Sequence, residues 1–275
     1  MVDSAADIGA QEAKELGILM IPMIISFDGE DYFDGVDLSP IQFYEKLLKS
    51  DVLPKTAQVT PFRFEEAFKK ATENGDELIA ITISSKLSGT YEGAKQAAEK
   101  FGGKVFVVDS LSATVGERLL CQYALQLIGK GLSAKAVFEN LERAKKKLCV
   151  MGVLETLEYL KKGGRISSAV AFVGGVLNLK PVVKVVDGEV KMIGKARGQK
   201  KGGELMNGLI KEGGVDFSMP YGVLWTGLEE DIATKYIEES ADIWEGRTEI
   251  PKYIMGSTIG THVGPGVFGI AYFEK

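Results

Sequence analysis

Two kinds of hydrophobic pattern alternate along the first half of the chain. Runs of apolar, β-forming residues, typical of buried strands, lie at 18–27, 77–83, 104–109 and 148–154. Between these runs, apolar residues recur at helical spacing in segments that follow Ser39-Pro40 and Thr60-Pro61 and in two later stripes, at 91–101 and 134–148. This alternation predicts an α/β fold with a mainly parallel sheet.

The pattern changes to a glycine-rich mixture after about residue 155. A β-hairpin is predicted over 182–193, around an Asp187-Gly188 turn. Further helices are predicted at 204–211 and 229–240, and they alternate with strands predicted at 221–226, 247–255 and 267–273. We therefore expect two packed α/β lobes, about 1–155 and 156–275, the second with a mixed sheet, and a ligand at the seam between them.

Composition and charge narrow the classes of function. The chain has 275 residues, of which 45% are hydrophobic and 26% charged, so it can bury a substantial core. Its net charge of -5 provides no overall attraction for nucleic acid or anionic lipid. The uncharged runs at 166–179 and 253–273 are too short, or too rich in glycine, for a membrane span, and the N-terminus shows no signal-peptide pattern. We expect no stable membrane insertion.

The cysteines and the histidine limit the chemistry further. Cys121 and Cys149 lie far apart and outside any C-x-x-C motif, so we expect reduced thiols and a cytoplasmic protein. His262 is the single histidine, which excludes a metal centre built from several imidazoles, and we expect neither a metal nor a cofactor. Four glycines surround it within 259–269, which predicts a loop between two strands. Because glycines supply no side chains to pack an imidazole, a functional role is favoured for His262.

Two polar segments precede predicted helices and contain free hydroxyls. In 83–91, an apolar strand leads to a helix with Ser88 as its predicted N-cap. The free N–H groups of that first turn favour an anion, and the hydroxyls of Ser85, Ser88 and Thr90 add donors, although helix capping alone also explains Ser88. In 55–61, Thr60 is the predicted helix cap, so Thr56 and Gln58 remain available for binding, although an ordinary polar turn also explains them.

Two basic segments lie in the second half of the chain. The segment 161–168 is typical of a helix that ends at Gly163-Gly164, and the apolar stretch 169–177 after it predicts a buried helix or the wall of an apolar cavity. The segment 195–201 has four cations and is typical of a solvated surface. The alternative is that Arg197 turns inward to hold a carboxylate or a phosphate. This segment is too small to indicate DNA binding.

Taken together, these segments resemble the DegV family of bacterial fatty-acid-binding proteins. The resemblance runs from Asp3 to Phe273, nearly the whole chain. It rests on motifs in the same order and at the same spacing, which are Asp3-Ser4, Thr56-x-Gln58, Ser84-Ser85-x-x-Ser88-Gly89-Thr90, Asp109-Ser110, Leu160-x-x-Gly163-Gly164-Arg165-Ile166, Leu179-Lys180-Pro181, Lys195-x-Arg197 and Gly260-Thr261-His262-x-Gly264.

The resemblance implies a lipid-binding protein that is not itself an enzyme. A long-chain fatty acid such as palmitate would lie between the lobes with its tail in an apolar tunnel, and a separate fatty acid kinase would convert it to the acyl phosphate. The residues that the resemblance assigns to the carboxylate are Thr56, Ser88, Arg197 and His262. The residues that it assigns to supporting positions are Ser85, Gly89, Thr90 and Arg165.

The chain departs from the family pattern at three places. Only Met1-Val2 precede Asp3-Ser4, so the first strand is expected to be short or missing. The loop after Thr56 lacks the usual second hydroxyl and proline, and Gly198-Gln199-Lys200-Lys201 follows Arg197 where the family often has Thr-x-Lys-Lys. A different function also fits the residues, namely a hydrolase with Ser88 as nucleophile and His262 as base, although Ser88 lies outside a G-x-S-x-G elbow. A sensor or regulatory module is a third reading.

Overall fold

The structure of the protein is a computed structural model that describes residues 1–166 and 178–275. The buried helix or cavity wall predicted at 169–177 lies outside the described residues. Within the described ranges, every helix is too short or too polar to cross a membrane.

The strands in these ranges are β1 (Val2–Asp3), β2 (Met20–Ile21), β3 (Ile24–Phe27), β4 (Glu30–Phe33), β5 (Lys55–Ala57), β6 (Leu78–Thr82), β7 (Val105–Asp109), β8 (Leu148–Val153), β9 (Leu179–Val186), β10 (Glu189–Arg197), β11 (Gly222–Trp225), β12 (Lys252–Ile254) and β13 (Phe268–Phe273). The α-helices are α1 (Ala10–Glu15), α2 (Pro40–Leu47), α3 (Pro61–Thr72), α4 (Thr90–Ala98), α5 (Val115–Gly129), α6 (Ala134–Ala144), α7 (Glu158–Lys162), α8 (Gln199–Gly213), α9 (Asp231–Glu239) and α10 (Ser257–Val263).

The N-terminal sheet is parallel, as predicted, with strand order β2-β1-β6-β7. β1 has two residues, in agreement with the expected short first strand. The strand predicted at 18–27 is divided between two sheets, because Pro22 lacks the N–H that would continue the ladder from β2 into β3. Helices α3 to α6 contribute buried side chains, such as Phe68 and Leu119, to the core of this sheet.

A small antiparallel sheet, with order β4-β3-β5, was not predicted from the sequence. Its strands have three or four residues, too few for a clear alternation of apolar and polar positions. Together with α2 it encloses a separate core that includes Ile25, Phe43 and Tyr44. This unit positions Thr56, which lies in β5 and pairs with Ile25.

The C-terminal sheet is mixed, as predicted, with order β10-β9-β8-β13-β11-β12. Strands β11 and β12 are parallel and the other neighbours are antiparallel. β8, which the pattern placed among the N-terminal strands, lies near the centre of this sheet instead, because its partners come from later in the chain. Its side chains alternate, so that Val150 and Leu154 join the N-terminal core while Met151 and Val153 join a second core beneath α8 and α9.

Candidate functional site

A cavity of about 230 Å³ is lined by residues of the small sheet and the C-terminal sheet, together with residues such as Ile83, which follows β6 of the N-terminal sheet. Most of its lining is aliphatic, and includes Met23, Leu87, Val185 and Leu224. The polar side chains that line the cavity are fewer: Thr56, Gln58, Ser88, Thr114, Arg165, Thr258 and His262. The cavity therefore combines an apolar wall with a few polar groups, as ligand sites commonly do.

His262 lies in a helix rather than in the predicted loop. It occupies the last turn of α10, which ends where Gly264 adopts a φ of 74°. The glycine inside this helix has a packing role, since a Cβ on Gly260 would lie 2.6 Å from Phe43 Cε1 and 2.7 Å from Tyr44 Oη. The glycines that indicated a loop therefore allow α10 to approach α2 closely and to end after His262.

The imidazole of His262 contacts the small sheet directly. Its Nε2 lies 2.9 Å from Thr56 Oγ1, and its Nδ1 is buried with no hydrogen-bond partner in the described ranges. Burial, with the nearby charge of Arg165 as a second cause, lowers the pKa of His262 to about 4. The imidazole is therefore neutral at pH 7, with one nitrogen able to donate and the other able to accept a hydrogen bond.

Arg165 is the arginine at the cavity. Its Nε donates to Leu87 O at 3.2 Å and its Nη1 donates to Gly163 O at 2.6 Å, which fixes the guanidinium between the segment before α4 and the end of α7. The same turn accommodates His262, because a Cβ on Gly163 would lie 2.3 Å from His262 Nδ1. Arg165 had been expected only in a supporting position.

Arg197 is not part of the cavity lining that the structure describes. It is the last residue of β10 and is exposed, whereas its neighbour Ala196 is buried. Arg197 pairs with Leu179, which lies on the same face of β9 as the cavity-lining Val183, so Arg197 lies at the end of the cavity face of this sheet. Its assignment to the carboxylate stays a prediction.

Ser88 lines the cavity, but it precedes the helix cap by one residue. Helix α4 begins at Thr90 with Gly89 as its N-cap, so the sequence prediction was displaced by one position. Ser88 Oγ accepts from Thr90 N at 3.3 Å and lies 2.9 Å from Thr90 Oγ1. Thr90 itself is buried, and its Oγ1 accepts from Val59 N, so it joins α4 to the loop before α3.

Gly89 lines the cavity, whereas Ser85 does not. The Ser85 N–H donates to Asp109 Oδ1 at 3.1 Å, which holds that residue toward β7. A Cβ on Gly89 would lie 2.1 Å from Gln58 Oε1, so the Gln58 amide rests on the glycine. The sequence left Gln58 available in its polar loop but did not predict this contact, which depends on two loops that meet in the folded chain.

The geometry does not join Ser88 to His262 as a hydrolase would require. Each side chain is hydrogen-bonded to a different threonine, Thr90 for Ser88 and Thr56 for His262. An activated serine needs its base within hydrogen-bond reach, with a third group to orient that base, and Nδ1 of His262 has no such partner in the described part of the chain. Across residues 1–166 and 178–275, no cluster of three or more His, Cys, Asp or Glu side chains is placed to hold a metal ion.

Two buried aspartates that the sequence did not single out hold the start of α10. Asp34 accepts hydrogen bonds from Ser257 N and from the N–H and hydroxyl of Thr258. Asp7 accepts from Gly256 N at 2.7 Å. Both come from segments far from α10 in sequence, so no local motif identifies them as caps of this helix.

Comparison with known proteins agrees with this architecture. The family model described as "Uncharacterised protein, DegV family COG1307" matches residues 1–275. A DegV domain-containing protein of Caldanaerobacter subterraneus is 34% identical over 280 residues, which cover 100% of this chain and 98% of the relative.

Two solved structures are similar over the same length. A DegV family protein from Thermus thermophilus, described by its fatty acid binding, has a TM-score of 0.89 and 32% identity, and covers 100% of this chain and 98% of its own. DegV of Bacillus subtilis, described as a fatty acid binding protein, has a TM-score of 0.83 and 30% identity, with the same coverage of 100% and 98%. The family match over the full length, with these relatives, shows that this chain belongs to the DegV family.

Proposed function

We propose that this protein binds a long-chain fatty acid, with the tail in the apolar cavity and the carboxylate at Thr56, Ser88, Arg165 and His262. The observation that carries the proposal is the linked position of these groups at the cavity. Thr56 contacts His262, the imidazole lies against Gly163, and Gly163 O holds the guanidinium of Arg165. Arg165 Nε in turn contacts Leu87, the neighbour of Ser88.

This group has the chemistry that a carboxylate beside hydrocarbon requires. A buried charge is costly unless it is paired and hydrogen-bonded, and a guanidinium supplies both the opposite charge and donors. The hydroxyls of Thr56 and Ser88 add neutral donors. Because the pKa of His262 is lowered to about 4, the imidazole contributes a neutral hydrogen bond and leaves the positive charge to Arg165.

The apolar lining supplies the larger part of the binding free energy. A tail of about sixteen carbons, at about 0.8 kcal/mol for each buried methylene, provides over ten kcal/mol of transfer free energy before the cost of ordering the ligand. We therefore expect fatty acid to remain bound through purification. Both fatty-acid-binding structures described above share the fold, which supports a ligand of this class.

We further propose that the bound acid is presented to a separate fatty acid kinase in the cytoplasm. Gln58 and Gly89 line the cavity and also a second depression, formed with Pro61, Lys95 and Glu99 between α3 and α4. The polar groups therefore lie close to the protein surface, where a second protein can reach a carboxylate. The two cysteines are free and buried, which agrees with a reducing compartment.

Native mass spectrometry of the purified protein, followed by denaturation and lipid extraction, tests the proposal. The native mass should exceed the mass of the chain by that of one fatty acid, and the extract should contain that acid. The apo mass with no fatty acid in the extract, together with no binding when acids are added back, would contradict it. Formation of acyl phosphate by the kinase of the source organism, with and without this protein, tests the presentation step.

A further inference from the structure

Four residues form a row across the C-terminal sheet. Val183 in β9 pairs with Gly152 in β8, Gly152 pairs with Gly269 in β13, and Gly269 pairs with Leu224 in β11. The two central positions of the row are therefore glycines on adjacent antiparallel strands. A glycine inside a strand weakens the strand and often marks a place where another group approaches the backbone.

This row faces the cavity. Side chains of β8 alternate, and Val150 and Leu154, which flank Gly152 at a spacing of two, pack on the cavity side of the sheet. Val183 and Leu224 belong to the same core and also line the cavity, as does Gly152 itself. At Gly152 the wall of the cavity therefore consists of backbone alone, whereas Val150, Leu154 and Val183 around it contribute aliphatic side chains.

The two glycines differ in the space above them. A Cβ on Gly269 would lie 2.1 Å from Met151 O and 2.9 Å from Leu224 Cδ1, so that position is already filled. A Cβ on Gly152 would have Phe268 O at 3.3 Å and then Val267 Cγ1 at 3.7 Å as its nearest neighbours. A Cβ at Gly152 would therefore make one tight contact, with the Phe268 carbonyl, whereas a Cβ at Gly269 would overlap its neighbours.

We infer that Gly152 forms a notch in the cavity floor that receives part of the hydrocarbon tail and sets the length of chain that the cavity accepts. This inference rests on the proposed function, because it assigns a wall of the same cavity. A side chain at position 152 would occupy space needed by the tail and leave the carboxylate site unchanged. Binding of long acids should therefore weaken, whereas binding of short acids should change little.

The test measures dissociation constants for saturated fatty acids of about ten to about eighteen carbons. Delipidated wild-type protein is compared with the variants Gly152→Ala and Gly152→Val. Exclusion of about two methylenes corresponds to roughly tenfold weaker binding. We expect Gly152→Val to bind the longest acid at least about tenfold more weakly and the shortest within about threefold, with Gly152→Ala between wild type and Gly152→Val.

Two further variants make the result decisive. Val153→Ala alters the same strand on its opposite face, where Val153 packs near Gly202, and should leave the order of preference unchanged. If Gly152→Val fails to fold, Val183→Leu adds volume to the same row at the neighbouring strand and should shift preference in the same direction.

Unchanged preference in Gly152→Ala and Val183→Leu, or equal losses at every chain length, would overturn the role of Gly152 while leaving fatty acid binding intact. A wild-type protein that binds none of the acids would instead overturn the proposed function.

Discussion

Asp34 and Thr258, which are 224 residues apart in sequence, are joined by two hydrogen bonds to the same carboxylate oxygen. Asp34 Oδ2 accepts from Thr258 N at 3.2 Å and from Thr258 Oγ1 at 2.6 Å, while Oδ1 accepts from Ser257 N at 3.1 Å. Tyr44 strengthens the connection by donating from Oη to Met255 O. The unit that contains the small sheet therefore supplies Thr56 and also holds the helix that positions His262.

Asp34 does not itself line the cavity, but its replacement should displace His262. Asp34→Ala removes three hydrogen bonds at the start of α10, so we expect weaker fatty acid binding by roughly tenfold and lower stability by about 2 to 3 kcal/mol. Because His262 is the single histidine, NMR of the imidazole reports on this site alone, and its chemical shifts and pKa should change.

Asp37 provides a matched control in the same loop. It is exposed, and its Oδ2 accepts a hydrogen bond only from Phe33 N among the described residues. Asp37→Asn should leave the His262 signals unaltered. Imidazole signals in Asp34→Ala that match those of wild type would show that Asp34 acts on stability alone.

The two arginines should differ sharply in their contribution to binding. Arg165→Ala removes the cation at the cavity, and loss of a charge-assisted hydrogen bond corresponds to roughly tenfold to a hundredfold weaker binding of fatty acid. Arg197→Ala removes an exposed side chain and should change that affinity by less than about threefold. Isothermal titration of delipidated protein measures both. A larger loss for Arg197→Ala would restore the assignment made from sequence.

Asp7 should make the stability of the protein depend on pH. Burial raises the pKa of its carboxyl to about 7, so the folded state favours the protonated form. An unfolded aspartate ionises near pH 4, so this contribution is fully present below about pH 4 and is lost as the pH rises through about 7. The groups around the carboxyl are Thr114, Gly256 N–H, Arg118 and Asp34.

Asp7→Asn removes this titration. His262 titrates in both proteins, and its lowered pKa makes the free energy of unfolding rise with pH, so its effect cancels when the variant is compared with wild type. The free energy of unfolding of the variant, relative to wild type, should therefore increase between pH 5 and pH 8. Urea unfolding across this range measures the difference. A difference that stays constant, or that decreases with pH, would show that Asp7 does not titrate there.

Gly89 should control the position of Gln58. The added methyl group of Gly89→Ala would collide with the Gln58 amide, which can rotate away because it is the end of a flexible side chain. Gln58 lies between the cavity and the outer depression, so its displacement should speed release of bound fatty acid.

Stopped-flow dissociation rates in a double-mutant cycle measure this coupling. In the background of Gln58→Ala, the substitution Gly89→Ala should have little further effect, since the group that it displaces is absent. Independent, additive effects of the two substitutions would contradict the contact as the cause.

Local pattern was sufficient for much of the fold. Apolar runs, helical repeats and the Asp187-Gly188 turn identified the parallel sheet and the hairpin, because each of these signals depends on residues close together in sequence. The pattern did not reveal the small sheet, whose short strands pair through contacts across the chain, and it did not show that β8 pairs with β9 and β13.

Sequence alone determined which residue types the site contains, and it singled out Thr56, Ser88 and His262, because hydroxyls and a lone histidine beside glycines have a recognisable chemical character. Only the tertiary structure shows that Arg165 lies with them. Its position follows from two carbonyls supplied by separate segments, Leu87 O and Gly163 O. Contacts such as that of Gly260 with Phe43, which make His262 part of a helix, exist only when distant parts of the chain are packed together.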